Sequence, residues 1–308
     1  MMPSRSHWYT SRTGRSLMSA ADSTKIQKFR EHLHQEWTGD RTVAAWRKWH
    51  AQIAAFTHGA TEAILESAHL RPGMRVLDLA SGVGDPALSM AAEVAPSGRV
   101  TATDLGPGMI SLAEELARKK GITNIEFREA NAESLPFPGE SYDALTCRFG
   151  IMFFPDLPKA LRECFRVLKP GGRAAFVAWG KKEQPFFTAT AGIVLKHVPV
   201  PPPPPDPDDP SLFMFGERNR LRRALEAAGF SNVHEEDRII AGRWGASAEE
   251  YWEQFSEVAA PFRPLIEQLT PEKMAQAKAE IFAALKKFWN GKELNMPLEI
   301  VIGTGTRL

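Results

Sequence analysis

The sequence predicts an α/β protein built on a doubly wound sheet with helices on both faces. Two observations carry that expectation: short apolar or β-branched runs alternate with helical patterns, and the first run ends in a glycine turn that opens directly into a helix. Composition is the third. The 308 residues are 43% hydrophobic and 24% charged, which supplies a sizeable core, and the length alone would suit roughly two domains.

Charge and cysteine usage exclude several classes. With 38 Lys+Arg against 37 Asp+Glu the net charge is +1, so the chain lacks the basic excess of a protein held mainly by phosphates, and no nucleic-acid partner is expected. Cys147 and Cys164 make no disulfide framework and stand in no metal-ligand spacing, so no metal is expected. No apolar run approaches the roughly 18 residues of a membrane span. The expectation is a cytoplasmic protein of a reducing compartment whose oligomeric state stays open.

The elements follow in order. Residues 1–22 carry Arg5, Arg12 and Arg15 among Ser4, Ser6, Ser11 and Ser16, with no acid before Asp22, and read as a disordered leader. Residues 23–70 read as N-terminal helices, because Trp46, Trp49, Ile53 and Phe56 recur at steps of three and four. Strands are then expected over Arg75–Leu79, Arg99–Thr103, Ile125–Arg128, Tyr142–Cys147 and Arg173–Ala178, with helices over Pro86–Glu93, Pro107–Lys119 and Leu157–Val167. Lys169-Pro170-Gly171-Gly172 marks a stop before the fifth strand.

Val198 to Pro210 reads VPVPPPPPDPDDP and must be extended polyproline II, either a stiff external loop or a docking segment. Glu217–Ala228 reads as a helix closed by Gly229, and Val233–Ile240 and Leu298–Ile302 as the last two strands. Between them Ser247–Phe288 is helical and too long for a hairpin loop. The expected organisation is therefore a core over 71–246 and 291–308, with a helical cap inserted over 247–290.

The sharpest segment is Val76-Leu77-Asp78-Leu79-Ala80-Ser81-Gly82-Val83-Gly84-Asp85-Pro86-Ala87. Gly82 and Gly84 allow close approach of a ligand to the backbone, and Asp85 is expected to cap the helix that Pro86 begins. Asp104 follows the second strand at a reach that suits two ribose hydroxyls. The spacing Gly82-x-Gly84-x-x-Ala87 also satisfies a dinucleotide fingerprint, but a carboxylate at Asp78 would face a pyrophosphate unfavourably, whereas it suits a ligand bearing an ammonium and a sulfonium.

This stretch resembles motif I of class I S-adenosylmethionine-dependent methyltransferases. Thr103-Asp104-Leu105, then Ala130-Asn131-Ala132-Glu133-Ser134-Leu135-Pro136-Phe137, then Arg166-Val167-Leu168-Lys169-Pro170-Gly171-Gly172-Arg173 follow in the order of that family's later motifs. Within it the chain is similar to the ubiquinone/menaquinone C-methyltransferase branch over residues 72–179. The resemblance implies a Rossmann-like methyltransferase fold with a seven-stranded, mostly parallel sheet, and S-adenosyl-L-methionine as cofactor with S-adenosyl-L-homocysteine as product.

It also implies roles by position. Asp78 with Ala80, Ser81, Gly82, Val83 and Gly84 would hold the methionine moiety, and Asp104 the ribose. Leu105 and Met109 would flank the adenine faces, and Asn131 and Ala132 its edge. Arg148 would line the methionine end, where the quinone enzymes commonly carry serine. The arginine-asparagine pair and the Tyr-Asp entry motif of that branch are absent here.

The expected acceptor is a small molecule, largely apolar or aromatic. Its pocket is expected from Trp49, Phe149, Phe153, Phe186 and Tyr251, with Trp46, Met152, Phe154, Phe187, Trp252 and Phe255 as further apolar candidates that would serve equally as core. His50, His58 and Tyr251 are the candidates for a proton-transfer group, if one is needed. Two alternatives remain open at this point: an NAD-dependent oxidoreductase using the same glycine turn, and a non-catalytic cofactor-binding module that captures a partner.

Overall fold

The computed structural model describes residues 20–203, 209–245 and 247–308. Three helices precede the sheet: α1 (Ala20–Thr38), α2 (Asp40–Phe56) and α3 (His58–Ala68). Gly39 separates the first two and Thr57 joins the second to the third. Because α1 starts at Ala20, the last three residues of the expected leader are helical, which corrects that boundary. Residues 1–19 lie outside the described residues, as do 204–208 of the proline-rich stretch. Of that stretch, residues 198–203 join no helix or strand, as proline's missing N–H requires.

Strands and helices then alternate: β1 (Arg75–Leu79), α4 (Ala87–Glu93), β2 (Arg99–Asp104), α5 (Pro107–Lys119), β3 (Ile125–Glu129), β4 (Tyr142–Arg148), α6 (Leu157–Val167) and β5 (Leu168–Trp179). The chain continues through α7 (Pro185–Thr188), α8 (Ala191–His197), α9 (Arg220–Ala227), β6 (Ser231–Trp244), α10 (Ala248–Val258), α11 (Arg263–Ile266), α12 (Pro271–Lys286) and β7 (Leu294–Thr306). The sheet order is β3-β2-β1-β4-β5-β7-β6, and β7 alone runs antiparallel to its neighbours. The seven-stranded, mostly parallel, doubly wound sheet is thus the one expected.

Differences from the sequence reading have local causes. β5 starts at Leu168, not Arg173, because Leu168 already pairs with Tyr142 before a register shift resumes the ladder at Ala144 and Arg173. β6 and β7 run well beyond the apolar alternation that marks them, through Gly242, where a Cβ would stand 2.6 Å from a methyl of Leu298. The short helices α7 and α8 carry too few turns to show a period.

The strand order reverses between β1 and β4, so a crevice opens beyond their carboxyl ends, the place where such sheets take ligands. α1 and α2 cover it from the N-terminal side, through Leu33, Trp37, Trp46, His50 and Ile53. α10 to α12 leave the sheet after Trp244 and return at Leu294, and those two residues pair. The cap therefore departs from and re-enters one spot above the crevice.

The core lies on both faces of the sheet. One side packs Leu77, Leu145 and Phe176 against α6 and α9 through Leu161, Leu221 and Leu225. The other joins Ile64 of α3, Met90 of α4 and Val177 of β5 to Phe255 of α10 and to Ile281 and Leu285 of α12. Each such buried aliphatic or aromatic side chain contributes roughly 1.5–3 kcal/mol. Among the described residues no helix is long and apolar enough to cross a membrane.

Candidate functional site

β1 delivers its chain to the crevice and the turn that follows bends sharply. Ala80, Gly82 and Gly84 all take positive φ, at 51°, 53° and 99°. For Ala80 this conformation is costly, on the order of 1–3 kcal/mol, and such strain concentrates where function demands it. Gly150 permits it: a Cβ there would stand 2.4 Å from the methyl of Ala80. Phe149, also at positive φ (59°), turns its ring onto Trp179 with centroids 4.0 Å apart.

Asp104 ends β2 beside this turn. Its carboxylate accepts the backbone N–H groups of Gly82 at 2.8 Å and Gly106 at 2.9 Å. Burial raises its pKa, and the N–H bonds oppose that rise. Leu105 and the buried Met109 follow, with Met109 packing with Val83 against Trp37 and Trp46 of the N-terminal helices. Across the cavity Asn131 folds its own loop, its side-chain oxygen accepting the N–H of Glu133 at 2.8 Å. Glu133 is buried; it receives the N–H of Asp156 at 2.9 Å and pairs with Arg30 of α1.

Arg148 ends β4 and is 8% exposed. It pairs with Asp85 at 2.9 Å, donates to the Asp85 carbonyl at 2.8 Å and to the Thr57 hydroxyl at 2.7 Å. Thr61 of α3 also donates to Asp85, at 3.2 Å. Asp85 therefore does not cap α4, whose start carries no side-chain cap: the guanidinium is its charged partner, and the N–H groups of Leu88, Ser89 and Met90 bond the carbonyls of Gly84 and Pro86 instead. The pair ties the glycine turn to the joint between α2 and α3.

One cavity of about 290 Å³ joins these groups. Ala80, Ser81, Gly82, Val83, Asp104, Leu105, Met109, Asn131, Ala132 and Arg148 all line it. Asp78 and Gly84 do not. Asp78 lies beneath the turn, fully buried, where its carboxylate accepts the Thr146 hydroxyl at 2.6 Å and its second oxygen has no partner. Burial raises its pKa to about 7, against the Thr146 bond and the nearby Arg148 charge. The β-strand alternation explains the placement: Asp78 stands opposite Thr146 in the ladder and faces α4, not the crevice.

Beyond the turn the cavity widens into an aromatic chamber. Phe149, Phe153, Phe186 and Tyr251 line it, as do Trp46, Met152, Phe154 and Phe255. Trp49 does not: it is buried in the core against Trp244, and its indole N–H donates to Glu257 at 2.6 Å. Phe187 and Trp252 also stay off the wall, packed on Phe213 and Phe255. Of the proton-transfer candidates, His50 and Tyr251 face the cavity, whereas His58 is exposed beside Glu62 at 3.4 Å, because position 58 opens α3 on its solvent side.

Sequence reasoning missed Trp37, Thr57, Asp85, Glu133, Trp179, Trp244, Gln254 and Phe262, which also line the cavity. The aromatic residues were visible in the sequence, but not which of these rings would face inward.

The residues of the narrow half fit S-adenosylmethionine. Ser81 is buried with an unpartnered hydroxyl, and a Cβ at Gly82 would meet nothing within 4 Å, so the turn leaves room and hydrogen-bonding capacity on its cavity side. Asp104 keeps lone pairs beyond the two it gives to backbone amides, and Leu105 and Met109 supply apolar walls.

Comparisons with known proteins agree with this geometry. Residues 47–200 match the model of the ubiE/COQ5 methyltransferase family. The ubiquinone/menaquinone biosynthesis C-methyltransferase UbiE of Serratia proteamaculans is 35% identical over 178 residues, 55% of this chain and 71% of that protein. A demethylmenaquinone methyltransferase of Listeria monocytogenes is 32% identical over 242 residues, 75% of this chain and 96% of that protein.

Among solved structures, the YcgJ protein of Bacillus subtilis superposes with a TM-score of 0.54 at 22% identity, covering 81% of this chain and 98% of that one, a likeness of fold. The nicotinamide alternative finds no support among these matches. The chain belongs to the ubiE/COQ5 methyltransferase family and is an enzyme whose methyl donor is S-adenosylmethionine.

Proposed function

We infer that the enzyme methylates a small, largely apolar or aromatic acceptor held in the aromatic half of its cavity. The observation that carries this reading is continuity: one cavity runs from the glycine turn and Asp104 to a chamber walled by Phe149, Trp179, Phe186 and Tyr251. Bound S-adenosylmethionine supplies a methyl carbon made electrophilic by a sulfonium leaving group. The chain supplies binding, orientation and exclusion of water.

In this reading Ala80, Ser81, Gly82 and Val83 receive the methionine end and Asp104 the ribose, while Leu105, Met109, Asn131 and Ala132 surround the adenine. Asp78 supports the turn from below without touching the ligand, and Gly84 acts through its backbone shape. Arg148, neutralised by Asp85, anchors the α2–α3 joint over the turn. Residues 247–290 act as a cap that closes the chamber. Holding two reactants in line can lower a barrier by as much as about 7–11 kcal/mol.

The near-zero net charge favours an uncharged acceptor over a polyanion. The relatives' names, which speak of ubiquinone and menaquinone biosynthesis, support a ring-bearing acceptor. Calorimetric titration tests the donor half: S-adenosylhomocysteine binds saturably at one site and NADH gives no heat. Tight NADH binding without a homocysteine signal would overturn the reading.

A further inference from the structure

Helix α1 runs for 19 residues, yet among its described side chains Leu33 alone is buried. A helix with so little burial gains few of the apolar contacts that fix an element to a core. Leu33 and the half-buried Trp37 both line the cavity, so the most deeply packed side of α1 faces the ligand space. Its last turn rests on the donor half. The Trp37 carbonyl would stand 3.0 Å from a Cβ at Gly106, two residues after Asp104. The Trp37 ring packs on Trp46 and on Phe153, with centroids 6.3 and 5.8 Å away.

The two ends of α1 are held differently. At its C-terminal end the Thr42 hydroxyl of α2 donates to the Glu36 carbonyl at 2.8 Å, across an extended Gly39 (ψ 139°) that separates the helices. Toward the N-terminus the attachments are ionic. Arg30 donates through Nε at 3.1 Å and through Nη2 to one oxygen of Glu133, and Lys25 pairs with Asp209 at 2.6 Å. Glu133 is buried, whereas Arg30 is partly exposed. The other Glu133 oxygen accepts the N–H of Asp156, and its own N–H holds the Asn131 side chain. The carboxylate that takes Arg30 therefore belongs to the loop read as the adenine edge.

We propose that α1 is a hinged flap over the donor site, latched by Arg30 on Glu133, and that its closure retains bound donor and product. This rests on the reading of the narrow half as the S-adenosylmethionine site. The structure shows the flap shut, with Gly39 as its hinge. Lifting it uncovers little apolar surface beyond Leu33 and Trp37. An adenosyl group against Leu105 and Met109 also covers those two side chains, so occupancy favours the shut state. Arg30 and Asn131 meet on the same residue, which couples the latch to the adenine edge. Leaving a buried carboxylate without its guanidinium is costly, and that cost gives the latch its strength. Donor enters and product leaves while Arg30 is off Glu133.

The test follows S-adenosylhomocysteine on the full chain by two readouts other than turnover. Hydrogen exchange is measured with and without saturating ligand. In wild type the ligand slows exchange of the α1 amides by about 10-fold or more. In Arg30→Gln the α1 amides of the free protein exchange faster, while those of the sheet keep wild-type rates. Dissociation is followed by stopped-flow displacement, read in tryptophan fluorescence. Arg30→Gln raises the dissociation rate constant roughly 10- to 100-fold, as expected for loss of a charged hydrogen-bonded pair, with little change in association. Arg30→Lys, which keeps the charge but not the two-pronged donation, falls between. Lys28→Gln, exposed on the same helix, releases the ligand as wild type does.

Wild-type dissociation in Arg30→Gln, or α1 exchange in wild type that ignores the ligand, overturns the flap. An equal rise in Lys28→Gln overturns it too, since that marks a general effect of charge on α1. Should Arg30→Gln fail to fold, Arg30→Lys against Lys28→Gln and the wild-type exchange decide the matter. If S-adenosylhomocysteine fails to bind wild type at all, the reading of the donor half falls, and the flap with it.

Discussion

Asp104 is held by the backbone N–H groups of Gly82 and Gly106, so it organises the turn as well as facing the cavity. Hydrogen bonds to a charged group contribute about 1.5–3 kcal/mol. Asp104→Ala therefore weakens S-adenosylhomocysteine binding by roughly 10- to 100-fold in calorimetry, and wild-type affinity would mean that the ribose is held elsewhere. Asp78 behaves differently because it is fully buried and its carboxylate accepts one hydrogen bond, from Thr146. Its pKa, raised from 3.8 to about 7, means that the folded protein holds this proton more tightly than the unfolded chain does.

That contribution to stability is full below about pH 4 and is lost as pH rises to about 7. Asp78→Asn lacks it, so denaturant midpoints of wild type and variant diverge across this window, wild type falling relative to Asn; parallel curves would refute it. Asp104, Gly82 and Met109 were legible in the sequence because the motif holding them is local. Asp85 was not. Its partners Arg148 and Thr61 come from a distant strand and a preceding helix, so a short-range cap looked sufficient.

At the scale of elements, periodicity was a good guide where an element is long and one face is buried. α5 and α6 begin and end where their apolar spacing says, and β1 does too. Apolar spacing failed for α7 and α8, which are too short to show a period, and for the far ends of β6 and β7, where small and polar residues continue a ladder fixed by the partner strand.

The cap's first helix, α10, starts with a signal the sequence does carry: Ser247 accepts the N–H of Glu250 at 3.2 Å. Removing such a cap typically costs about 1 kcal/mol. Ser247→Ala is expected to lower the urea midpoint accordingly with the slope unchanged, and an unaltered midpoint would show that α10 is held by packing alone.

The whole molecule is one doubly wound sheet with helices added at its start and inside its last hairpin. Length suggested two domains, yet Phe255, Ile281 and Leu285 of the cap bury into the cluster that also holds Ile64 and Val177. The half of the cavity around the glycine turn comes from local motifs and was readable; the aromatic half joins α2, the strand ends and α10, segments more than two hundred residues apart at the extremes, and no local pattern announces that meeting.

The central claim is that a methyl group leaves the donor at the glycine turn for a ring held in the aromatic chamber. It is tested by incubating the enzyme with methyl-labelled S-adenosylmethionine and a panel of phenols, quinols, aliphatic amines and aliphatic thiols. The account predicts label on ring-bearing acceptors, with one S-adenosylhomocysteine formed per methyl transferred. Label appearing only on the aliphatic amines or thiols, or on none of the panel, would contradict it.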